Sequence, residues 1–448
     1  MERYPLSYSQ EWFVTLDKGD DGGAFGPGFL LVCAVRITGH VDLALLRGAL
    51  DDVVARHELL RTLVIRDADP PYQEVHPPCQ VPLEVRDRPA VAGESRDRFV
   101  QELIVEAEAG TISTKDVPML RAMLCRFDDR DSALVLTVHH SVSDGWSLQV
   151  ILRDLGACYA ARRDGVPADL KPVRQYREYA EWQKASATST AEDGSPRYWA
   201  DKLRGAREFT MPNDHGHPDS YTSHYSLYND TIDASIVSAA SALAAQSRTT
   251  AFTVLLSAFY VLAHSITGTT DLAIRAFTSG RGEKRFHDTM GLFINVLPFR
   301  TNLAGCTTFR DIITRAKQTF IDAIAHELPV SVIEQEFADF VKSRENLRTS
   351  QFIISETPAQ YGEIIFAIAD GAREVHLTLV EESRHHDIPS GMVWGLTPTP
   401  DGGLSSGILF NPDEFSESTI VRLAAGLRRI LTSAVRDPDQ DWKTLSLP

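Results

Sequence analysis

The chain has 448 residues, 43% hydrophobic and 24% charged, with 28 Gly and 23 Pro. That composition is globular, and it excludes disorder and collagen-like repeats. The 45 Lys and Arg against 61 Asp and Glu leave a net charge of −16, which argues against nucleic acid as a partner, since that affinity rests largely on basic side chains.

At about 150 residues per domain the length suggests two or three units. The N-terminus, Met1-Glu2-Arg3-Tyr4-Pro5, has no apolar signal core. No run of 18 apolar residues occurs, so no membrane span is expected. Cys33, Cys79, Cys125, Cys158 and Cys306 are scattered, odd in number and without a C-x-x-C pair. That usage fits reduced thiols in a cytoplasmic protein and offers no zinc-ligand spacing.

Along the chain, Gly22-Gly23-Ala24-Phe25-Gly26-Pro27-Gly28 superficially resembles a phosphate loop. No strand precedes it and Pro27 obstructs a helix start, so a flexible loop is expected. Asp42 caps a predicted helix with Leu45, Leu46, Ala49, Leu50, Val53 and Val54 on one face. A strand follows over Leu60 to Ile65, and a helix from Ser95 to about Ala109. Ser132 to His139 is β-branched and apolar, a buried strand by type. Helical periodicity resumes from Trp146 to Ala161. Ser186 to Pro196 is small, polar and aperiodic, and reads as a flexible loop near a lobe boundary. Beyond it come a buried helix after Thr250, a strand over Asp271 to Phe277, and a helix from Thr308 bearing Phe309, Ile312, Ile313, Ala316, Phe320 and Ile324. Four strands close the pattern, at Glu363–Ala369, Val375–Glu381, Gly391–Thr397 and Gly403–Phe410. Two α+β lobes of similar texture fit this order, with no short repeat.

The sharpest chemical signal is Val138-His139-His140-Ser141-Val142-Ser143-Asp144-Gly145-Trp146. Adjacent strand residues face opposite ways, so one imidazole turns inward while the other reaches past the strand end. An imidazole with an ordinary pKa of about 6.5 is mostly neutral at pH 7 and suits a general base. Asp144 is placed to cap the next helix or to anchor an arginine, and Gly145 permits a tight turn. No H-E-x-x-H is present and adjacent histidines lack i, i+4 geometry, so no metal is expected. No G-x-S-x-G elbow supports a serine hydrolase. The second pair, His385-His386-Asp387, reads as a solvated turn.

Five segments in order resemble the condensation domains of nonribosomal peptide synthetases. His139-His140-Ser141-Val142-Ser143-Asp144-Gly145 is similar to the family's HHxxxDG motif, and Ser7-Tyr8-Ser9-Gln10 to its opening S-x-A-Q. Arg56-His57-Glu58-Leu59-Leu60-Arg61-Thr62 resembles RHExLRT. Tyr176, Tyr179, Ala180 and Trp182 resemble Y-x-D-Y-A-x-W with Glu178 for Asp. Gly291, Phe293 and Asn295 resemble G-x-F-V-N. His326-Glu327-Leu328-Pro329 matches H-Q-D-x-P-F-E only in part, and Arg344-Glu345-Asn346 barely matches the next motif.

The resemblance implies an α+β fold of two chloramphenicol-acetyltransferase-like lobes, 1–177 and 178–448, in a V with a tunnel and active site at their interface. It implies that His140 is catalytic and that His139, Asp144 and Gly145 are structural. Asp144 would pair with an arginine of the other lobe, for which Arg281 is the candidate. Asn295, Ser143 and Trp146 are expected to line the site, although a buried core role suits Asn295 equally. No bound cofactor is implied. The acyl donor would arrive as an aminoacyl or acyl thioester on the phosphopantetheine arm of a peptidyl carrier protein in trans. The acceptor would be a small-molecule alcohol or amine, giving an ester or amide. Discrete condensation enzymes of antibiotic pathways, including those that acylate an enediyne core, are the nearest suggested type. A coenzyme A-dependent acyltransferase of the same fold and a catalytically silent docking module are the alternatives. Gly145 after Asp144 disfavours an epimerisation domain, and the intact His pair a cyclisation domain.

Overall fold

The computed structural model describes residues 2–19, 22–88, 95–192, 194–216, 226–342, 349–356, 371–375, 391–399 and 401–445. The strand Asp131–His139 is buried at every position. Its two faces meet different helices: Leu134, Leu136 and Val138 pack with Leu50, Val53 and Ile151, while Ala133 and Val135 pack with Val100, Leu103 and Ile104. A strand covered on both sides has no polar face, hence its unbroken apolar run.

That strand is central in a five-stranded sheet ordered Gly371–Val375, Leu30–Thr38, Asp131–His139, Leu120–Asp128, Leu83–Asp87. A small antiparallel sheet of Glu2–Pro5, Tyr72–Val75 and Thr62–Ile65 lies beside it in sequence. The second large sheet runs Asn295–Asn302, Asp271–Thr278, Thr349–Glu356, Met392–Pro398, Leu404–Phe410, Ser226–Ile232, with Thr210–Pro212 paired to Thr349–Glu356. Its core contains the helix Ala251–Thr267, buried from Phe252 to Ala263, together with Phe309, Ile312 and Ile313. Each sheet therefore has its own hydrophobic core.

The two halves are interlocked. Gly371–Val375, from late in the chain, pairs antiparallel with Leu30–Thr38 and so completes the first sheet. Phe286, Met290, Leu292 and Phe293 belong to the first core, although they precede a strand of the second sheet. The expected boundary at 177/178 falls inside the helix Tyr176–Glu192, whose Tyr176 and Tyr179 are both in the first core.

Helix starts follow their caps. Asp42 accepts from Ala44 N and Leu45 N at the head of Leu43–Arg56, and Ser95 from Arg98 N at Arg96–Glu108. Thr308 forms a capping box with Asp311 before Phe309–Ala325. Two sequence expectations need correction. Ser186 to Pro196 is not a loop: Tyr176–Glu192 runs through it and the helix Ser195–Leu203 follows at once. Small Ala, Ser and Thr residues contain no breaker before Gly194, which takes φ +87°, and Pro196 sits in the next helix's first turn. The segment Gly22–Gly28 is a loop but a pinned one, with Gly26 buried and its carbonyl held by His139. The strands at Glu363–Ala369 and, beyond Val375, at Val375–Glu381 lie outside the described residues, as do Arg344-Glu345-Asn346 and His385-His386-Asp387.

Candidate active site

At the end of Asp131–His139 the chain makes a short 3-10 turn, His140–Val142, and enters the helix Gly145–Asp164. The two histidines then have opposite surroundings. His139 is fully buried. Its Nε2 donates to the Gly26 carbonyl at 2.9 Å, which leaves Nδ1 to accept from Ser141 Oγ at 2.8 Å and Ser141 N at 3.1 Å. Burial pushes its pKa down to about 4. His139 is thus a neutral strut between the strand end and the glycine-rich loop.

His140 is only part-buried. Its Nδ1 lies 2.8 Å from the Ser143 carbonyl; a carbonyl only accepts, so Nδ1 carries the proton and Nε2 keeps the lone pair. Nε2 has no hydrogen bond to any described residue. The ring stacks on Phe29 at 4.8 Å and 14°, and meets Phe13 edge-on at 5.7 Å. Close packing depresses its pKa below the ordinary imidazole value; the Ser143 carbonyl and then Asp144 oppose that shift. The result is a neutral base with one fixed tautomer.

Asp144 points away from this nitrogen and into the joint between the halves. It caps Gly145–Asp164, accepting from Ser147 N and Ser147 Oγ at 2.7 Å. It also accepts from Arg281 Nη2 at 3.1 Å on both oxygens and from Phe293 N at 3.2 Å. Both members of the pair are 4% exposed. Arg281 Nη1 donates to the Phe286 and Thr289 carbonyls, and the guanidinium lies 3.8 Å from the Phe293 ring centroid. Gly280, at φ +59°, admits no side chain here, since a Cβ would come within 1.8 Å of the Phe293 carbonyl oxygen.

The remaining expected site residues divide. Ser143 is buried and acts through its carbonyl. Gly145 is exposed at the helix start, with nothing within 4 Å of an added Cβ. Trp146 Nε1 donates to the His287 carbonyl at 2.9 Å, across the joint. Asn295 is engaged on both ends: Nδ2 donates to Glu327 and the Leu328 carbonyl, and Oδ1 accepts from Val330 N. It lines a cavity of about 650 Å³ with Tyr8, Ser9, Tyr179, Phe293 and Glu327. His140 is not on that wall. Ser9 is, and Phe13, one turn further along the helix Tyr8–Thr15, touches the imidazole.

The other motif residues are structural. Ser7 and Gln10 form a capping box, and Ser7 Oγ meets Tyr176 OH at 2.6 Å. Tyr176 and Tyr179 pack against Phe293. Arg56 and His57 both reach the buried Asp154 at 2.8 Å, whose carboxyl is held far below the usual range by His57 and Arg153 against the opposing pull of burial. The sequence reading missed Phe13, Phe29 and Asp154.

Two tests follow from this geometry. Arg281→Ala leaves the Asp144 carboxylate buried without its cation and should cost about 3–5 kcal/mol, read from urea midpoints. Replacing both, with Asp144→Asn and Arg281→Met, should recover part of that loss, and a purely additive result would contradict the pairing. The second concerns acid. The unfolded chain takes up a proton at an ordinary His near pH 6.5, whereas His139 refuses one until about 4. Stability is therefore complete above pH 6.5 and falls as pH drops through that window, by about 2 kcal/mol at pH 5 from this residue. Denaturation at pH 7.5 and pH 5 should show a shallower pH dependence in His139→Gln than in the parent.

The comparisons with known proteins agree with this architecture. Chondramide synthase cmdD of Chondromyces crocatus is 30% identical over 450 residues, covering 99% of this chain but 11% of that protein. Among solved structures, the SgcC5 protein from Streptomyces globisporus superposes with a TM-score of 0.87 at 32% identity, covering 98% of this chain and 100% of that one. The first condensation domain of the calcium-dependent antibiotic synthetase gives 0.80 at 18% identity over 99% and 98%, a likeness of fold alone. The Condensation domain family model matches residues 1–448, and the chain accordingly belongs to the condensation-domain family, an α+β fold of two chloramphenicol-acetyltransferase-like lobes.

Proposed function

We propose that this protein is an acyltransferase that moves an acyl or aminoacyl group from the phosphopantetheine thioester of a peptidyl carrier protein, met in trans, onto a small-molecule acceptor. The observation that carries the reading is the part-buried His140, with Nδ1–H tied to Ser143 and Nε2 without a hydrogen bond to any described residue. Family membership supplies condensation as the reaction class.

In the proposed step the acceptor's hydroxyl or amine attacks the thioester carbonyl. Nε2 of His140 takes the nucleophile's proton as the new C–O or C–N bond forms. The tetrahedral intermediate then collapses, the C–S bond breaks, and the imidazolium returns the proton to the departing thiolate. A thioester is already activated, so no acyl-enzyme is required. An alcohol acceptor needs this base most, because its pKa is far above that of an imidazolium. The aryl 1,2-ethanediol bound in the SgcC5 structure supports an alcohol here too, and hence an ester product.

His140→Ala should lower turnover of a loaded carrier by about 10²–10⁴-fold, and parent-like turnover would remove His140 from the chemistry. Running acyl-carrier and acyl-coenzyme A side by side separates carrier use from coenzyme A use. The acid limb of kcat/KM should lie below pH 6.5, because His140 must be neutral and its pKa is depressed. A limb at or above pH 7 would contradict the assignment.

A further inference from the structure

The mechanism leaves one group beside the reactive nitrogen without a role. Antiparallel pairing of Leu30–Thr38 with Asp131–His139 sets Leu30 opposite His139. One step beyond, Phe29 comes level with His140, and the His140 amide donates to the Phe29 carbonyl at 2.8 Å. The two side chains lie nearly parallel, with ring centroids 4.8 Å apart and 14° between planes. Phe13 closes a second side edge-on, and itself packs edge-on against Phe29 at 5.7 Å. Backbone pairing and side-chain stacking thus couple the same two residues.

We infer that Phe29 is a positioning residue for the acyl transfer, holding the His140 ring in the plane that directs Nε2 at the reacting proton. The inference rests on the catalytic reading of His140 given above. One hydrogen bond, from Nδ1 to Ser143, defines a direction but leaves the ring free to swing about it. A parallel aromatic face at stacking distance removes that freedom, since tilting the imidazole would drive it into the phenyl ring. Phe13, inclined at 72° to the imidazole, closes a second side of it. The face also excludes water from one side of the base. Phe29 and Phe13 bring no charge, His139 behind the turn is neutral, and Asp144 is the charged group acting on the ring. The stack therefore orients the base without changing the local charge.

The test replaces the flat face while keeping the backbone bond and an apolar side chain. Phe29→Leu should lower kcat by about 10-fold or more with KM little changed, and should move the acid limb upward toward the ordinary imidazole value as the ring becomes wetter. Phe29→Tyr and Phe29→Trp, which restore a face, should recover kcat. A two-dimensional NMR titration of the His140 ring in each variant reads its tautomer and pKa without any substrate. Leu at position 29 with kcat within two-fold of the parent and an unchanged His140 titration overturns the inference. If instead His140→Ala retains full turnover, the catalytic reading fails. The ring titration then still shows whether Phe29 sets the imidazole's state.

Discussion

A carboxylate taken out of water must be met by a cation and enough donors, or the fold does not close around it. Asp144 meets that requirement with groups from both halves of the chain. Ser147 supplies two donors from the helix that Asp144 caps, and Arg281 and the Phe293 amide supply the rest from the segment leading into the second sheet. Helix start and lobe closure are therefore one electrostatic event. Because His140 stands only four residues before Asp144, the position of the imidazole is fixed by the same event. Ser147 extends the tie, its hydroxyl oxygen accepting from Gly291 N at 2.9 Å while its proton goes to Asp144.

Several residues of the five motifs serve this joint. Tyr176 packs edge-on to Phe293 and its hydroxyl bonds the Leu292 carbonyl and Ser7. A Cβ on Gly291 would come within 2.0 Å of the Tyr176 ring, so only glycine fits there. Arg153 spans from Asp154 in the first half to Asp288 in the second. Asn295 fixes the turn at Leu328 and Val330. Against this background His140 is distinct: its side chain bonds only through Nδ1 among the described residues, and its Nε2 makes no hydrogen bond to any of them.

Several elements were legible because their cause is local. Asp42, Ser95, Thr250 and Thr308 each cap the helix that follows them, and the apolar run before His139 reads directly as a strand buried on both faces. The stretch from Ser186 to Pro196 was misread for the same reason. Small polar residues permit either a loop or a helix, and a helix already propagating from Tyr176 adds them at little cost. The tethering of Gly22–Gly28 was invisible, since its partner His139 lies 113 residues away from Gly26.

The amino-acid order by itself determined which residues are chemically able to act: two histidines at a strand end, an aspartate before a helix, an arginine far downstream. It also marked the helix starts, because a cap and its amides are neighbours in the chain. Only the tertiary structure decided which imidazole keeps a nitrogen unbonded among the described residues, and that Phe29 is the face it rests on. Tautomer, burial and stacking depend on strand register and lobe closure, where groups distant in sequence meet. No periodicity along the chain encodes such meetings.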